Sequence, residues 1–337
     1  ASYSLAKGAP KFSESSIFIV RSPAFSAAYP WKLIFLGNKR DPATGQRVFT
    51  VFDKGYWLPE QYLVGGHPKI TVPEATWVKV WKQRAPQIVL FALLIAVLLA
   101  DLWISDKNRY LTHLMSLGTV IIVAVTQLAV WEQGSTLAFH GMYIADGMSR
   151  LSKLVLYGLT FGLFIYSKPY NQARGIFKGE FYTLSLFALL GMSVMVSAAH
   201  FLTAYIGLEL LSLSLYAMIA LRRDSGRSAE AALKYFVLGA LASGLLLYGI
   251  SMVYGATGSL EFATVLASSY SELANEWLLK LGLVFIVVAV AFKLGAVPFH
   301  MWVPDVYQGA PTSVAAFVGS MPKIAATVFT FRILVEG

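Results

Sequence analysis

The 337 residues of the chain are 57% hydrophobic and only 13% charged, with a mean hydropathy of +0.62. A soluble globular domain carries about 25% charged residues, so this composition excludes an ordinary soluble protein. The sequence has no cysteine, which excludes disulfides, thiolate zinc sites and iron–sulfur clusters ligated by this chain. It also has no glycine-rich nucleotide motif and no HExxH motif, so we expect neither a nucleotide cofactor nor a metal ion.

The first 84 residues form a segment of different composition, with twelve Lys or Arg and five Asp or Glu. The stretches "PWKLIFLG" (30–37) and "QRVFTVFD" (46–53) alternate as strands do, and turn signals separate them. We therefore interpret residues 1–84 as an extramembrane extension of unknown role that contains a small β-hairpin. The alternative is a poorly ordered tail or a segment of foreign origin. Nucleic acid binding is not expected, because no basic helix interleaved with aromatic residues accompanies the charge.

Residues 85–337 contain repeated apolar runs, each near the length of about 20 residues that a membrane-spanning helix needs. The pattern predicts an all-α polytopic membrane protein with about eight transmembrane helices. The runs are 86–104, 111–131, 150–167, 181–199, 201–220, 231–254, 278–297 and 312–334.

The connecting loops differ in charge on the two sides of the predicted bundle. Loops 105–110, 167–180 and 221–230 hold eight Lys or Arg, whereas loops 132–148 and 255–276 hold none. Basic loops stay in the cytoplasm, so this asymmetry predicts that the segment before the first helix lies outside. The basic flank of the first helix argues for the opposite orientation, and three loops outweigh it.

Four ionisable residues fall inside the predicted helices: Glu209, Lys234, Lys293 and Lys323. A charge at the centre of a spanning helix costs about 2.5–3.5 kcal/mol, so these groups should face the bundle interior, one another or water. Lys234 lies near its helix start, where snorkelling to the headgroups is the alternative. For Arg332, close to a helix end, snorkelling is the preferred interpretation.

Proline residues accompany two of these lysines. Pro298 clashes with the carbonyl of Leu294, four residues back, and should break the seventh helix just after Lys293. Freed carbonyls at membrane depth need protein or water as partners, so the break predicts a hydrated pocket beside a buried lysine. His300 could bond such a carbonyl or take part in proton transfer. Pro322 is expected to distort the eighth helix in the same way.

Four segments carry a resemblance to a known family: "GLELLSLSLYAMIAL", "EAALKYFVLGALASGLLLYG", "FKLGAVPFHMWVPDVYQGAPTSV" and "MPKIAA". They resemble the subunit N family among the antiporter-like membrane subunits of bacterial respiratory complex I, the proton-pumping NADH:quinone oxidoreductase. The resemblance extends over residues 85–337. The wording "PDVYQGAPT" together with "GLELLSL" favours subunit N over the paralogous subunits L and M, which are themselves similar to subunits of multisubunit cation/proton antiporters.

The resemblance implies a role for each ionisable residue. Glu209 matches the carboxylate of the fifth helix, Lys293 the principal proton carrier, and Lys234 and Lys323 the lysines of the sixth and eighth helices. His300 falls where the family has a histidine near the break. The family is built from two inverted five-helix repeats. Residues 181–334 would be the first repeat, and the second is absent from this sequence, so the exit half of the proton path stays unassigned.

The resemblance also implies the context in which the chain would act. It would move protons across the membrane as a subunit of NADH:quinone oxidoreductase, beside other complex I membrane subunits and the lipid bilayer. NADH, FMN, iron–sulfur clusters and quinone would be bound by other subunits, with no cofactor in this chain. The expected location is the bacterial inner membrane, with the mitochondrial inner membrane as the alternative. The other functions considered are a subunit of a cation/proton antiporter and a structural scaffold of a membrane arm.

Overall fold

The structure is a computed structural model that describes residues 16–21, 31–40, 47–58, 63–64, 67–68, 74–131, 135–139, 141–269 and 275–336. The chain divides into two compact units, Ala1–Glu74 and Ala75–Gly337.

The first unit contains a three-stranded antiparallel sheet in the order β1-β2-β3. Strand β2 (Trp31–Arg40) pairs with both β1 (Ser16–Arg21) and β3 (Arg47–Leu58). Strands β2 and β3 cover the two segments in which the sequence predicts strands. Two shorter strands, β4 (Leu63–Val64) and β5 (His67–Pro68), form a separate pair.

Within its described residues, the second unit consists of helices, their connections and one small β-ribbon. The ribbon consists of β6 (Thr136–Ala138) and β7 (Tyr143–Ala145). The helices are α1 (Glu74–Trp103), α2 (Tyr110–Ala129), α3 (Gly147–Ala173), α4 (Gly179–Met195), α5 (Phe201–Ile219), α6 (Gly226–Thr257), α7 (Phe262–Ser269), α8 (Glu276–Leu294), α9 (Trp302–Gly309) and α10 (Thr312–Glu336).

Within the described residues, seven helices are long and apolar enough to cross a membrane: α1 from Ala85 onward, α2, α3, α5, α6, α8 and α10. Helix α4 corresponds to the remaining predicted span, but it has only 17 residues. At 1.5 Å per residue it is about 26 Å long, less than the roughly 30 Å hydrocarbon core. Most of its side chains are buried among other helices, so its length need not match the thickness of the lipid.

The two ends of the bundle differ. One end, here called the basic end, carries the loops around residues 105–110, 167–180 and 221–230. The opposite end, here called the hairpin end, carries the β6–β7 ribbon. There Tyr143 bridges to Ala198, and His200 bridges to Glu261, so backbone hydrogen bonds join the connections between successive helices.

Two helix pairs cross at glycines. The backbone carbonyl of Gly207 on α5 lies 2.6 Å from the position where a Cβ on Gly191 of α4 would stand, and the reverse distance is 2.8 Å. Gly249 of α6 and Gly282 of α8 meet in the same manner, at 2.7 and 2.9 Å. Small residues let backbones approach this closely in membrane bundles. The crossings hold α5 and α8, which carry Glu209 and Lys293, against their neighbours.

The predicted break in the seventh span is present, and it begins before Pro298. Helix α8 ends at Leu294, where Gly295 adopts a left-handed conformation with φ 71° and donates its N–H to the carbonyls of Ala291 and Phe292. Such glycine caps end helices because glycine has no Cβ penalty at positive φ. Irregular backbone then leads to α9. The distortion expected at Pro322 is not a break, because α10 continues through this proline as one helix.

Candidate functional site

Lys293 lies in the last turn of α8 and is turned into the bundle. Its ammonium donates a hydrogen bond of 2.7 Å to the hydroxyl of Ser212 on α5. Helix C-termini favour cations, because the last carbonyls carry partial negative charge. In the described part of the chain, no carboxylate lies within ion-pair distance of Lys293. The ammonium of this half-buried lysine therefore contacts a neutral hydroxyl.

A small cavity adjoins this hydrogen bond. It has a volume of about 20 Å³ and is lined by Lys293, Ser212, Tyr235, Pro322 and several apolar side chains of α4, α5 and α10. A cavity needs roughly 10–15 Å³ to hold a water, together with polar partners. The ammonium and the hydroxyl supply such partners, so the cavity has room for one water molecule at the break.

Glu209 lies three residues before Ser212 and therefore on the same face of α5. Its side chain is partly buried, and its Oε1 atom has no hydrogen-bond partner in the described structure. The carboxylate acts electrostatically on Lys293 without contacting it. This carboxylate oxygen therefore has an acceptor position that no described donor fills.

Lys234 is placed differently from Lys293. It lies on α6 with its side chain 44% exposed, and its ammonium pairs with Glu230 at 2.7 Å and with Asp305 of α9 at 3.0 Å. The Asp305 pair joins the helix after the break to α6. Lys234 is therefore half-exposed and paired with two carboxylates, unlike Lys293.

Lys323 and His300 lie apart from the Lys293–Ser212 contact. The ammonium of Lys323, which is partly buried on α10, stands 5.7 Å from the centre of the Tyr307 ring. His300 is exposed in the segment between α8 and α9, and its backbone carbonyl accepts the N–H of Val303. Among the described residues, neither side chain forms a hydrogen bond or ion pair.

At the break, the carbonyl of Phe292 accepts the N–H of Gly295 and has a tryptophan as its second partner. The indole N–H of Trp302 donates to the carbonyl oxygen of Phe292 at 2.9 Å, and Trp302 is fully buried. Its ring packs on Tyr235, with centroids 4.7 Å apart. A protein side chain therefore satisfies the Phe292 carbonyl, and the space for a water molecule is the cavity that Lys293 lines.

The prediction that Arg332 snorkels is wrong. Arg332 is fully buried, and its guanidinium donates to the carbonyl of Val196 at 3.0 Å and to the carboxylate of Asp146 at 2.7 Å. Its position near a helix end indicates its depth but not whether its side chain faces lipid or the bundle interior. The sequence does not indicate that Asp146, 186 residues away, is its partner.

Two further buried polar residues were missed. Lys153 is 1% exposed and donates to the phenol oxygen of Tyr143 at 2.8 Å. It belongs to a face of α3 whose members recur every three or four residues: Arg150, Lys153, Tyr157, Thr160, Phe164, Ser167 and Asn171, all buried. That spacing was the available signal. For Ser212, the signal was its place one helical turn after Glu209.

The site thus brings Glu209, Ser212 and Lys293 together beside a water-sized cavity and leaves the other candidates around it. Among the described residues, no cluster of His, Cys, Asp or Glu could hold a metal ion. Apolar spanning helices, one of them broken beside a half-buried lysine, define a polytopic membrane protein with an ionisable interior site.

Known proteins resemble this chain in sequence and in fold. Residues 198–336 match the transmembrane family of NADH:quinone oxidoreductase and the Mrp antiporter. The chain is 79% identical over 252 residues to NADH-quinone oxidoreductase subunit N of Neisseria gonorrhoeae, a match that covers 75% of this chain and 52% of the relative. The corresponding subunit of Laribacter hongkongensis is 57% identical over 251 residues, covering 74% and 52%.

Solved structures agree with the sequence matches. Respiratory complex I from Thermus thermophilus with bound aureothin contains a chain that is 33% identical, with a TM-score of 0.61, covering 73% of this chain and 52% of that one. A chain of the Mrp complex from Dietzia, at 21% identity and a TM-score of 0.59, shares the fold. Over the matched residues the protein is similar to the antiporter-like membrane subunits that NADH:quinone oxidoreductase and the Mrp antiporter share. The chain spans about half the length of the curated relatives that it matches.

Proposed function

We propose that the chain is part of a proton-translocating membrane subunit of NADH:quinone oxidoreductase. The proton path runs through Glu209, Lys234, Lys293 and Lys323, with His300 near the break. The observation that carries the proposal is the contact between Lys293 and Ser212, because a half-buried ammonium held by a neutral hydroxyl beside a water-sized cavity can give up its proton. Quinone reduction in other subunits provides the free energy.

The chemistry follows from the groups around Lys293. A protonated lysine is favoured when the Glu209 carboxylate is close, and a neutral lysine is favoured when that carboxylate moves away or is screened. Ser212 accepts from the ammonium while its own hydroxyl donates to the carbonyl of Leu208 at 2.6 Å, so the hydroxyl must turn from that carbonyl toward the cavity before it passes a proton there. Lys234 is tied to Asp305, and a change in that pair would alter the charge at the other side of the break.

The surroundings of the subunit belong to the proposal. It lies among other membrane subunits in the bacterial inner membrane, with the basic end of the bundle toward the cytoplasm and residues 1–84 on the outer side. The domain division at residues 84 and 85, and residues 181–334 as a first five-helix repeat, are parts of the same proposal. NADH, FMN, iron–sulfur clusters and quinone are bound by other subunits.

The alternatives are a cation/proton antiporter subunit and a structural scaffold. Similarity of 47% to 79% to relatives named NADH-quinone oxidoreductase subunit N supports the first function over the antiporter. A half-buried lysine inside a spanning helix without a contacting carboxylate argues against a scaffold, which would gain nothing from such a charge.

The test uses the full-length subunit in its assembled complex. Lys293→Arg and Glu209→Gln should each abolish proton uptake by inverted vesicles during NADH oxidation, because arginine does not release its proton and glutamine cannot accept one. Lys280→Gln, at an exposed lysine of the same helix, is the control and should pump normally. If Lys293→Arg pumps like the parent protein, Lys293 is a structural cation and the proposed path is wrong.

A further inference from the structure

Helices α3 and α10 run antiparallel and touch through polar side chains at three heights. At the basic end, Ser313 donates to the side-chain oxygen of Asn171 at 2.7 Å. In the middle, the hydroxyl of Thr160 lies 3.3 Å from the sulfur of Met321. At the hairpin end, Arg332 contacts Asp146. These contacts fix both the rotation and the height of α10 against α3.

The contact at the hairpin end is the strongest of the three. The Arg332 guanidinium is fully buried, and its acceptors include a carboxylate oxygen of Asp146 and the Val196 carbonyl. Charge-assisted hydrogen bonds of this kind are roughly twice as strong as neutral ones. Asp146 is also the N-cap of α3 and accepts the N–H of Ser149 at 2.8 Å. Burial alone would raise the pKa of Asp146, but Arg332 and Ser149 together bring that pKa below its ordinary value.

The middle of α10 is the weaker part of the helix. Pro322 has no N–H, so the carbonyl of Val318 lacks its helical donor. Pro322 and Ala326 line the cavity beside Lys293, and Lys323 is the next residue after the proline. The segment that forms one wall of the site is therefore the segment least able to hold its own position.

We propose that Asp146 and Arg332 are positioning residues of the proton site, which hold α10 in the one register that places Pro322, Lys323 and Ala326 against the cavity. The inference rests on the proposed function. It assigns a role to a buried ion pair that lies on other helices and at another depth than the Lys293–Ser212 contact. Neither residue carries a proton in this role, since the guanidinium does not release one.

The register can be measured directly with thiol chemistry. Thr160→Cys and Met321→Cys, in a subunit with no other cysteine, place one thiol on each helix where the parent side chains touch. Both positions are buried, so a small membrane-permeant oxidant that joins the two thiols directly as a disulfide should cross-link them rapidly in the parent protein within the assembled complex. In Arg332→Gln and Asp146→Asn, cross-linking should slow, because α10 is free to rotate or slide.

Proton pumping should follow the register. Arg332→Gln should lower proton uptake per NADH oxidised by about tenfold or more, since a misplacement of about 1 Å at a reacting group can cost about 100-fold. Arg332→Lys keeps a cation for Asp146 and should lose less. Arg223→Gln breaks an exposed ion pair with Glu180 and is the matched control. If Arg332→Gln does not insert, Arg332→Lys supplies the same comparison.

The decisive step is rescue. Cross-linking the two thiols in the Arg332→Gln protein should restore pumping, because the cross-link holds α10 in the position against α3 that the lost ion pair held. Loss of pumping with unchanged cross-linking, failure of the cross-link to rescue, or normal pumping by both variants would each overturn the proposal. So would a cross-linked parent that no longer pumps, since α10 would then have to move against α3. Lys293→Gln is measured alongside: if it pumps, the proposed function fails, and if only the Arg332 variants pump, the positioning role alone fails.

Discussion

Trp302 on one side of the helix break donates its indole N–H to the carbonyl oxygen of Phe292 on the other side, at 2.9 Å. The same carbonyl accepts the N–H of Gly295. A side chain that comes ten residues later thus spans the break. The indole of Trp302 links α9 to the end of α8 through this hydrogen bond and through its packing on the Phe292 ring.

Trp302→Phe should destabilise the protein by about 1–3 kcal/mol, because it removes a buried hydrogen bond and leaves a void beside Tyr235. Thermal unfolding of the purified subunit in detergent measures the change. Trp277→Phe is the matched control, since Trp277 is 83% exposed, and it should unfold at the parent temperature. Equal effects of the two substitutions would show that the indole bond does not hold the break together.

Ser212→Ala should lower proton pumping by about tenfold or more, since a positioned proton-transfer group contributes 10²–10⁴-fold. Ser212→Thr keeps a hydroxyl and should retain most of the activity. Ser214→Ala is the control, because Ser214 also donates to the carbonyl four residues back on α5 but does not contact Lys293. The measurement is proton uptake per NADH oxidised in vesicles. Normal pumping by Ser212→Ala would remove the hydroxyl from the path.

His200 predicts a pH dependence of stability. It is the N-cap of α5, and its Nδ1 accepts the N–H of Leu202 at 3.2 Å. Burial lowers the pKa of His200 below the ordinary value of 6.5, although Glu261 opposes this shift. The folded state thus favours the neutral ring, so this stability is present above pH 6.5 and is lost as the pH falls through the lowered pKa.

The expected loss is that of one helix cap, about 0.5–2 kcal/mol. His200→Asn keeps an acceptor for the Leu202 N–H and cannot titrate, so its unfolding temperature should change less than that of the parent between pH 7 and pH 5. Parallel pH profiles for the two proteins would contradict the role of His200 as a titrating cap.

Cysteine labelling tests the orientation. Single cysteines at Ser225, in the basic end, and at Ser259, in the hairpin end, lie on opposite sides of the bundle. A thiol reagent that does not cross membranes, added from outside, should label position 259 and not position 225. Labelling after the cells are opened should reach both positions and serves as the control. The reverse pattern would overturn the proposed orientation.

The sequence predicted the fold because hydropathy and helix breakers are local properties. The apolar runs mark the spanning helices, and Pro298 indicates the break. The actual helix end lies at Gly295, because a left-handed glycine ends a helix before the proline is reached. The ribbon β6–β7 was not predicted, since each of its strands has only three residues.

The contacts within the site are harder to predict from the sequence than the types of residue that form it. Residue type and depth single out Glu209 and Lys293, but they do not show that Lys293 rests on Ser212 and not on a carboxylate. For Arg332 the prediction of a side chain that reaches the headgroups was wrong, because the choice between lipid and interior depends on a partner across the bundle. Long-range pairs of this kind are fixed by packing, which no local pattern reports.

The pair of Asp146 and Arg332 also has a consequence for biogenesis. Asp146 leaves the ribosome 186 residues before Arg332, so α3 is already in the membrane while α10 is still being synthesised. Once α10 packs into the bundle, the inward-facing guanidinium of Arg332 is fully buried and needs an acceptor there. The earlier helix supplies the acceptor that the later one requires. Because of the order of synthesis, α3 is already in the membrane with its acceptor when α10, the last described helix of the chain, packs against it.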